Sequence, residues 1–239
     1  MTLGTPRLHL REVDSTNVRA QRSAMSGAPH GTLVTAAGQS AGHGRQGRAW
    51  VTPAGRALAC SLVLREPPRL LPMLAALAVA DVADRFDAAG RSAAIKWPND
   101  ALLDGRKVAG ILAEGRPQEG WVVLGIGLNV AVEEGDFPPE LRAVATSLGR
   151  TPADVEPALA LLLERLEAWL AATPAEAMDA YRVRDALAGR EISWNGGRGT
   201  ALGVADDGRL RVRPADAGGD GVEQLLDAGE VHLGSGRAG

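Results

Sequence analysis

The sequence predicts an α+β protein: a mixed β-sheet with helices packed on it, followed by a small C-terminal β-barrel. Three observations carry this. Strand-like runs are interleaved with helix-period runs over the first two thirds of the chain, two later helices open with the same start signal, and beyond Leu187 the chain breaks into five short runs separated by Gly and Asp. With 239 residues and 45% hydrophobic content, the chain can bury one large unit or a large one plus a small one.

In chain order, "RLHLREV" (7–13) alternates weakly, and Asp14 or Ser15 can cap a helix running to about Ser26, where Gly27 ends it. "GTLVTAA" (31–37) is short, apolar and β-rich, a strand. Thr52-Pro53 and Gly55 then interrupt any helix, and Leu58, Cys60, Leu62 and Leu64 alternate as in a second strand. From Arg69 to about Ala88, Leu70, Leu74, Leu77, Ala78 and Val82 recur at helical spacing. "AAIKWPND" reads as a short strand ending in a turn, because Pro98 holds Trp97 extended and Asn99-Asp100 suit a turn. "RKVAGILAE" and "GWVVLGIGLNV" are two further strands joined by the polar link Gly115 to Gly120. Thr151-Pro152 and Thr173-Pro174 each put Thr at an N-cap, Pro at the first helical position and an acid (Asp154, Glu176) three residues after the Thr. The first of these helices runs to about Ala171 and buries Val155, Leu159, Leu162, Leu166 and Trp169. The five closing runs, "REISW", "RGTALGVAD", "GRLRVRP", "VEQLL" and "EVHLG", form the barrel, with a domain boundary near Ala188 and Gly189.

Composition excludes several classes. Charges break every apolar stretch well short of a membrane span, and "MTLGTPRLHLRE" lacks the apolar segment of a signal peptide, so a cytoplasmic protein is expected, with no membrane partner. The single cysteine, Cys60, sits in a predicted strand as a small buried hydrophobe, and the four histidines are scattered without ligand spacing. A net charge of -3 argues against a general nucleic-acid binder. Yet from Ser15 through Arg65 there is no Asp or Glu, while Arg19, Arg22, Arg45, Arg48, Arg56 and Arg65 fall inside that span, which favours a phosphate-bearing ligand.

Gly42, Gly44 and Gly47 spell G-x-G-x-x-G, but no helix opens on them, as a dinucleotide site requires, and no G-x-x-x-x-G-K-[ST] occurs. This is instead a glycine loop between two strands, carrying His43, Arg45 and Arg48 and suited to an anion.

Four segments combine: "DSTN" (14–17), "GQSAGHGRQGRAW" (38–50), "KWPND" with "RKVAGILAE" (96–114), and "GIGLN" (125–129). In this order they closely resemble the biotin protein ligase family, with its S-T-N, G-R-G-R-x-G-R-x-W, K-W-P-N-D, K-x-A-G-I-L-x-E and G-[IV]-G-x-N motifs, over roughly residues 8 to 235. The resemblance implies a class II synthetase-like catalytic domain (1–188) with helices on one side of its sheet, plus an SH3-like barrel (189–239). It implies an enzyme that joins biotin and ATP with Mg²⁺ as biotinyl-5'-adenylate, then transfers biotin to a lysine of a biotin carboxyl carrier domain, working as a monomer or homodimer. Arg45 and Lys107 match the catalytic arginine and lysine. Ser15, Thr16, Asn17, Gln39, His43 and Gly44, with Arg45 and Lys107, match the biotin site. Gly42, Gly44, Arg45, Gly47, Arg48, Trp50, Asn99, Asp100 and Asn129 match the ATP and adenylate site; the metal ligands stay open.

Carboxylate attack on an α-phosphate joins two anions, so charge neutralisation and in-line geometry are what such a site must supply. Taken singly, each residue has a plainer reading: Asn99-Asp100 a turn, Trp50 and Trp97 core aromatics, Lys107 a solvated edge lysine, Arg45 and Arg48 a surface pair. A lipoate or octanoyl ligase or transferase shares the implied fold. The S-T-N motif begins at residue 15, leaving no room for the N-terminal DNA-binding domain of some family members, so no DNA partner is expected. The chain departs from the family at His43, which stands where an arginine is usual.

Overall fold

A computed structural model describes residues 2–51, 53–215, 223–227, 229 and 231–233. The Thr52 of the predicted helix break, and Val222, Glu230 and Gly234 of the last two predicted strands, lie outside them.

A seven-stranded sheet organises the first part of the chain. Its strands are β1 (Arg7–Val13), β2 (Leu33–Gln39), β3 (Ala57–Arg65), β4 (Ala93–Lys96), β5 (Asp100–Leu103), β6 (Arg106–Arg116) and β7 (Trp121–Asn129), in the order β1-β2-β3-β7-β6-β5-β4. β1 runs parallel to β2, with Arg7 opposite Leu33, and every other neighbouring pair is antiparallel. Every predicted strand is present. β5 was not expected: the chain turns at Trp97–Asn99, and Asp100, expected in the turn, instead opens the strand "DALL" and pairs with Lys96 to complete a hairpin.

Helices cover both faces of this sheet. α2 (Leu71–Phe86), α3 (Val155–Ala171) and α4 (Pro174–Val183) share one apolar cluster with Leu58, Cys60, Leu62 and Leu64 of β3 and Leu124, Ile126 and Leu128 of β7. α1 (Thr16–Met25) packs Ala20 and Ala24 on the opposite face, against Val34, Val63, Trp121 and Val123. That corrects the expectation of helices on one side only. The buried face of α1, Thr16, Asn17, Ala20 and Ala24, carries only small side chains toward the sheet.

The caps follow the sequence in part. Thr173 accepts from the Glu176 N–H at 3.3 Å, and the Glu176 carboxylate accepts from the Thr173 N–H at 2.9 Å, a complete capping box. At Thr151 the same signal opens a 3₁₀ turn, Pro152–Asp154, and α3 starts at Val155. Leu159, Leu162 and Leu166 are buried as expected, with Val155 and Trp169 partly so. Ser15 occupies the N-cap of α1 without a side-chain capping bond.

All five C-terminal runs form strands: β8 (Glu191–Trp194), β9 (Gly197–Val204), β10 (Leu210–Pro214), β11 (Gln224–Leu226) and β12 (Val231–Leu233), an antiparallel sheet ordered β11-β10-β9-β8-β12. Its inner residues Ile192, Ala201, Val204, Leu210 and Val212 join the same apolar cluster as α2 and α4. Trp97, 1% exposed, donates from its indole nitrogen to the Gly208 carbonyl at 2.9 Å, tying the two sheets together.

Candidate active site

A cavity of about 520 Å³ opens on the α1 face of the large sheet, beyond the end of α1. Its floor is made of strand positions with little or no side chain: Ala59 on β3, Gly110 on β6, Gly125 and Gly127 on β7. The glycines are required by close approach. A Cβ on Gly125 would lie 2.1 Å from Asn17 Oδ1, and one on Gly127 would lie 2.4 Å from the Trp50 ring.

Ser15, Thr16, Asn17, Gln39, His43, Gly44, Arg45, Arg48, Trp50, Asn99, Asp100, Lys107 and Asn129 all line this cavity. Residues spread over more than a hundred positions meet because α1 begins, and β2, β5, β6 and β7 pass or end, at one edge of the floor. Gly42 and Gly47, expected to close over a nucleotide, do not line it. They serve the loop's own fold: the Gly42 carbonyl accepts from the Trp50 N–H at 2.8 Å, and Gly47 ends the 3₁₀ turn Arg45–Gly47. Of the six arginines in the acid-free span, only Arg45 and Arg48 reach the cavity. Arg56 pairs with Glu133, and Arg65 binds the Ala24 and Ala28 carbonyls.

At one end, buried polar groups are knitted together. Gln39 Oε1 accepts from the Thr16 N–H at 2.8 Å and from the Thr16 hydroxyl at 3.0 Å. Ser61, fully buried on β3, shares its hydroxyl between Thr16 Oγ1 at 2.8 Å and Asn17 Oδ1 at 2.7 Å. Asn17 Nδ2 and Gln21 Nε2 both donate to Glu114 Oε2, at 3.0 and 3.1 Å, and His43 Nε2 stands 3.6 Å from that oxygen. The imidazole in the place of the family arginine therefore faces a carboxylate.

At the other end, charge gathers. Lys107 Nζ lies 2.6 Å from Asp100 Oδ1 and 5.7 Å from the centre of the Trp50 ring. Arg45 Nη1 donates to Asn99 Oδ1 at 3.3 Å, while Asn99 Nδ2 donates to the Ile111 carbonyl at 2.8 Å. Asn129 Nδ2 donates to the Thr146 carbonyl at 2.9 Å, leaving Oδ1 buried without a hydrogen-bond partner among the described residues. Cys60 also borders the cavity, but burial pushes its thiol up to about 12, which keeps it protonated and unreactive.

Sequence reasoning gave no role to Ser61 or Glu114, which hold the cavity residue Asn17 from behind, and missed the wall formed by Phe137, Leu141, Val144 and Ala145. That wall is held by backbone bonds across Lys107, whose N–H donates to the Val144 carbonyl and whose carbonyl accepts from Thr146, both at 2.8 Å. Among the described residues no three His, Cys, Asp or Glu side chains cluster to hold a metal, and no helix is long and apolar enough to cross a membrane.

A glycine-floored cavity with an amide- and hydroxyl-lined end and an end carrying Lys107 and Arg45 is the architecture of a small-ligand site. Residues 10–130 match the model of the Biotin/lipoate A/B protein ligase family. A biotin--[acetyl-CoA-carboxylase] ligase of Paracoccus denitrificans is 36% identical, over 94% of this chain and 99% of that protein. A bifunctional ligase/repressor BirA of Bacillus spizizenii is 34% identical, over 93% of this chain and 72% of that protein. Among solved structures, the biotin protein ligase from Aquifex aeolicus in complex with biotin and ATP is 26% identical, with a TM-score of 0.80, covering 96% of this chain and 98% of that one. The chain belongs to the Biotin/lipoate A/B protein ligase family.

Proposed function

We propose that this protein is an ATP-dependent biotin protein ligase, which makes biotinyl-5'-adenylate and passes biotin to a lysine of a biotin carboxyl carrier domain. One observation supports this: the residues matching the family's biotin motifs and, apart from Gly42 and Gly47, those matching its nucleotide motifs line one cavity, with Lys107 and Arg45 gathered at the nucleotide-matching end. In the first step a carboxylate oxygen of biotin bonds to the α-phosphorus as the bond to pyrophosphate breaks. In the second the acceptor amine attacks the acyl carbon, AMP leaves with the bridging oxygen, and the amine loses a proton. Neither step needs a protein nucleophile.

Lys107 and Arg45, both lining the cavity, offset the approach of carboxylate to phosphate and the charge that builds at phosphorus. Trp50 lies over the Gly127 backbone and walls the cavity, limiting access of water to a hydrolysable anhydride. Asp100 and the orphan Oδ1 of Asn129 offer a carboxylate and an amide oxygen, a donor set that fits a magnesium ion sharing its shell with phosphates and water. Such an ion would neutralise phosphate charge. The reading assigns residues 1–188 to catalysis and 189–239 to a C-terminal domain, suits the cytoplasm because it consumes ATP, and includes no DNA partner.

Biotin-dependent exchange of labelled pyrophosphate into ATP tests it. Exchange supported by lipoate and not by biotin would instead favour the lipoate branch of the family. Lys107→Ala and Arg45→Ala should each cut exchange by about two or more orders of magnitude, the scale of losing one preorganised charge. Wild-type rates in both would remove them from the chemistry.

A further inference from the structure

Asn17 is gripped at both ends of its amide by Ser61 and Glu114, neither of which the motifs assign a role. Which end of an amide faces which way is decided by partners that can only donate or only accept. An ionised carboxylate only accepts, so Glu114 requires Nδ2 on its side. Oδ1 is thereby turned to Ser61, whose hydroxyl donates to it, and toward Gly125, where no Cβ intrudes. On the neighbouring residue the Thr16 backbone N–H, which only donates, pins Gln39 by its Oε1. Both oxygens at this end of the cavity thus face donors of the protein, and each amide retains N–H: Asn17 the second hydrogen of Nδ2 beside the one given to Glu114, and Gln39 its Nε2.

We propose that Glu114 and Ser61 are positioning residues that lock the Asn17 amide in one sense, so that with Gln39 it offers donors and not acceptors to the ligand. The inference rests on the biotin reading. It makes the cyclic urea recognisable by its carbonyl oxygen, an acceptor that two donor-presenting amides can meet. Glu114 acts through Asn17 and not on the reacting atoms. Its carboxylate also receives Gln21 and faces His43, so the same group that orients Asn17 braces the glycine loop from the side.

The test is binding by titration calorimetry of biotin and of 2-iminobiotin, which carries a protonated imino donor where biotin carries the carbonyl acceptor. In Glu114→Gln the replacement amide can donate as well as accept, and no longer dictates which end of Asn17 faces it. Glu114 is partly exposed, so folding should be kept. Biotin affinity should fall about tenfold, the scale of one charge-assisted hydrogen bond, and the preference for biotin over the imino analogue should narrow by a similar factor. Ser61→Ala, checked by an unchanged thermal melt, should move both quantities in the same direction by a smaller factor. Unchanged affinity and preference in both variants would overturn the proposal. So would an equal loss for both ligands, which would show a loosened pocket and not a reversed amide. A wild-type protein that binds no biotin would overturn the functional reading itself, and this inference with it.

Discussion

On β3 the residues that join the cluster under α2 and α3 are Leu58, Cys60, Leu62 and Leu64, while those between them are Ala57, Ala59, Ser61 and Val63. On β7, Leu124, Ile126 and Leu128 join that cluster, and Gly125 and Gly127 lie between them. Both faces of these central strands are shielded from water, so burial does not separate them. Side-chain volume does. One face fills its space with branched carbons; the other keeps its floor at backbone level so that a ligand can lie against it. A sheet of this kind holds itself together with one set of alternate residues and does chemistry above the other.

Leu124→Ala should break the filled face at a cost of about 2–5 kcal/mol, as for other large-to-small core changes, with biotin affinity of the folded protein retained. Urea unfolding read beside titration calorimetry checks this, and an equal loss of affinity would mean the two faces are not separable. Gly125→Ala should couple the two readouts. Its Cβ would meet the Asn17 amide oxygen at 2.1 Å, so an overpacking penalty of about 1–3 kcal/mol should appear in unfolding together with a loss of biotin affinity as Asn17 is displaced. A melt that drops while affinity holds would contradict that.

The smallest effect sits at the end of α2 on the filled side. Asp87 there accepts from the Arg91 guanidinium at 2.6 Å and from its backbone N–H at 2.7 Å. The side-chain bonds to Arg91 are the main cause holding its carboxyl below the usual carboxylate range. A group lowered on folding gives its full stabilisation above its unfolded value, about 3.9 for Asp, and loses it as pH falls through the lower folded value. Asp87→Asn should therefore be less stable than wild type at neutral pH, with the two curves converging below about pH 4 in urea unfolding. A gap that persists in acid would mean that Asp87 acts through packing.

What could be read from the sequence follows from range. The Thr173 capping box, the helical spacing from Leu74 to Val82 and the five Gly-separated closing runs are local signals, and each became the expected element. The motif residues were legible because four segments occur together in order. β5 was missed because "DALL" is four residues long, and its hairpin partner is recognisable only through pairing. Ser61 stayed hidden inside a run that reads as apolar strand, and Glu114 closed a quoted motif without a role that the motif alone could give it. Both matter through Asn17, about 44 and 97 residues away, respectively. The 137–146 wall has no periodicity of its own and takes its shape from Lys107. Alternation on β3 correctly marked a strand, but not that both faces were covered, since the small residues between the leucines look like the exposed side of an ordinary sheet.

The bond from Trp97 to the Gly208 carbonyl has a consequence in the order of synthesis. Trp97 belongs to the cavity wall, yet its indole N–H has its partner on the turn between β9 and β10, emerging from the ribosome 111 residues later. Until that turn is made, no group of the protein can take the place of the Gly208 carbonyl, and the Trp97 N–H beside the candidate site is left to water. The cavity is therefore completed late, and a stalled chain that has already made every motif residue still lacks the part that steadies them.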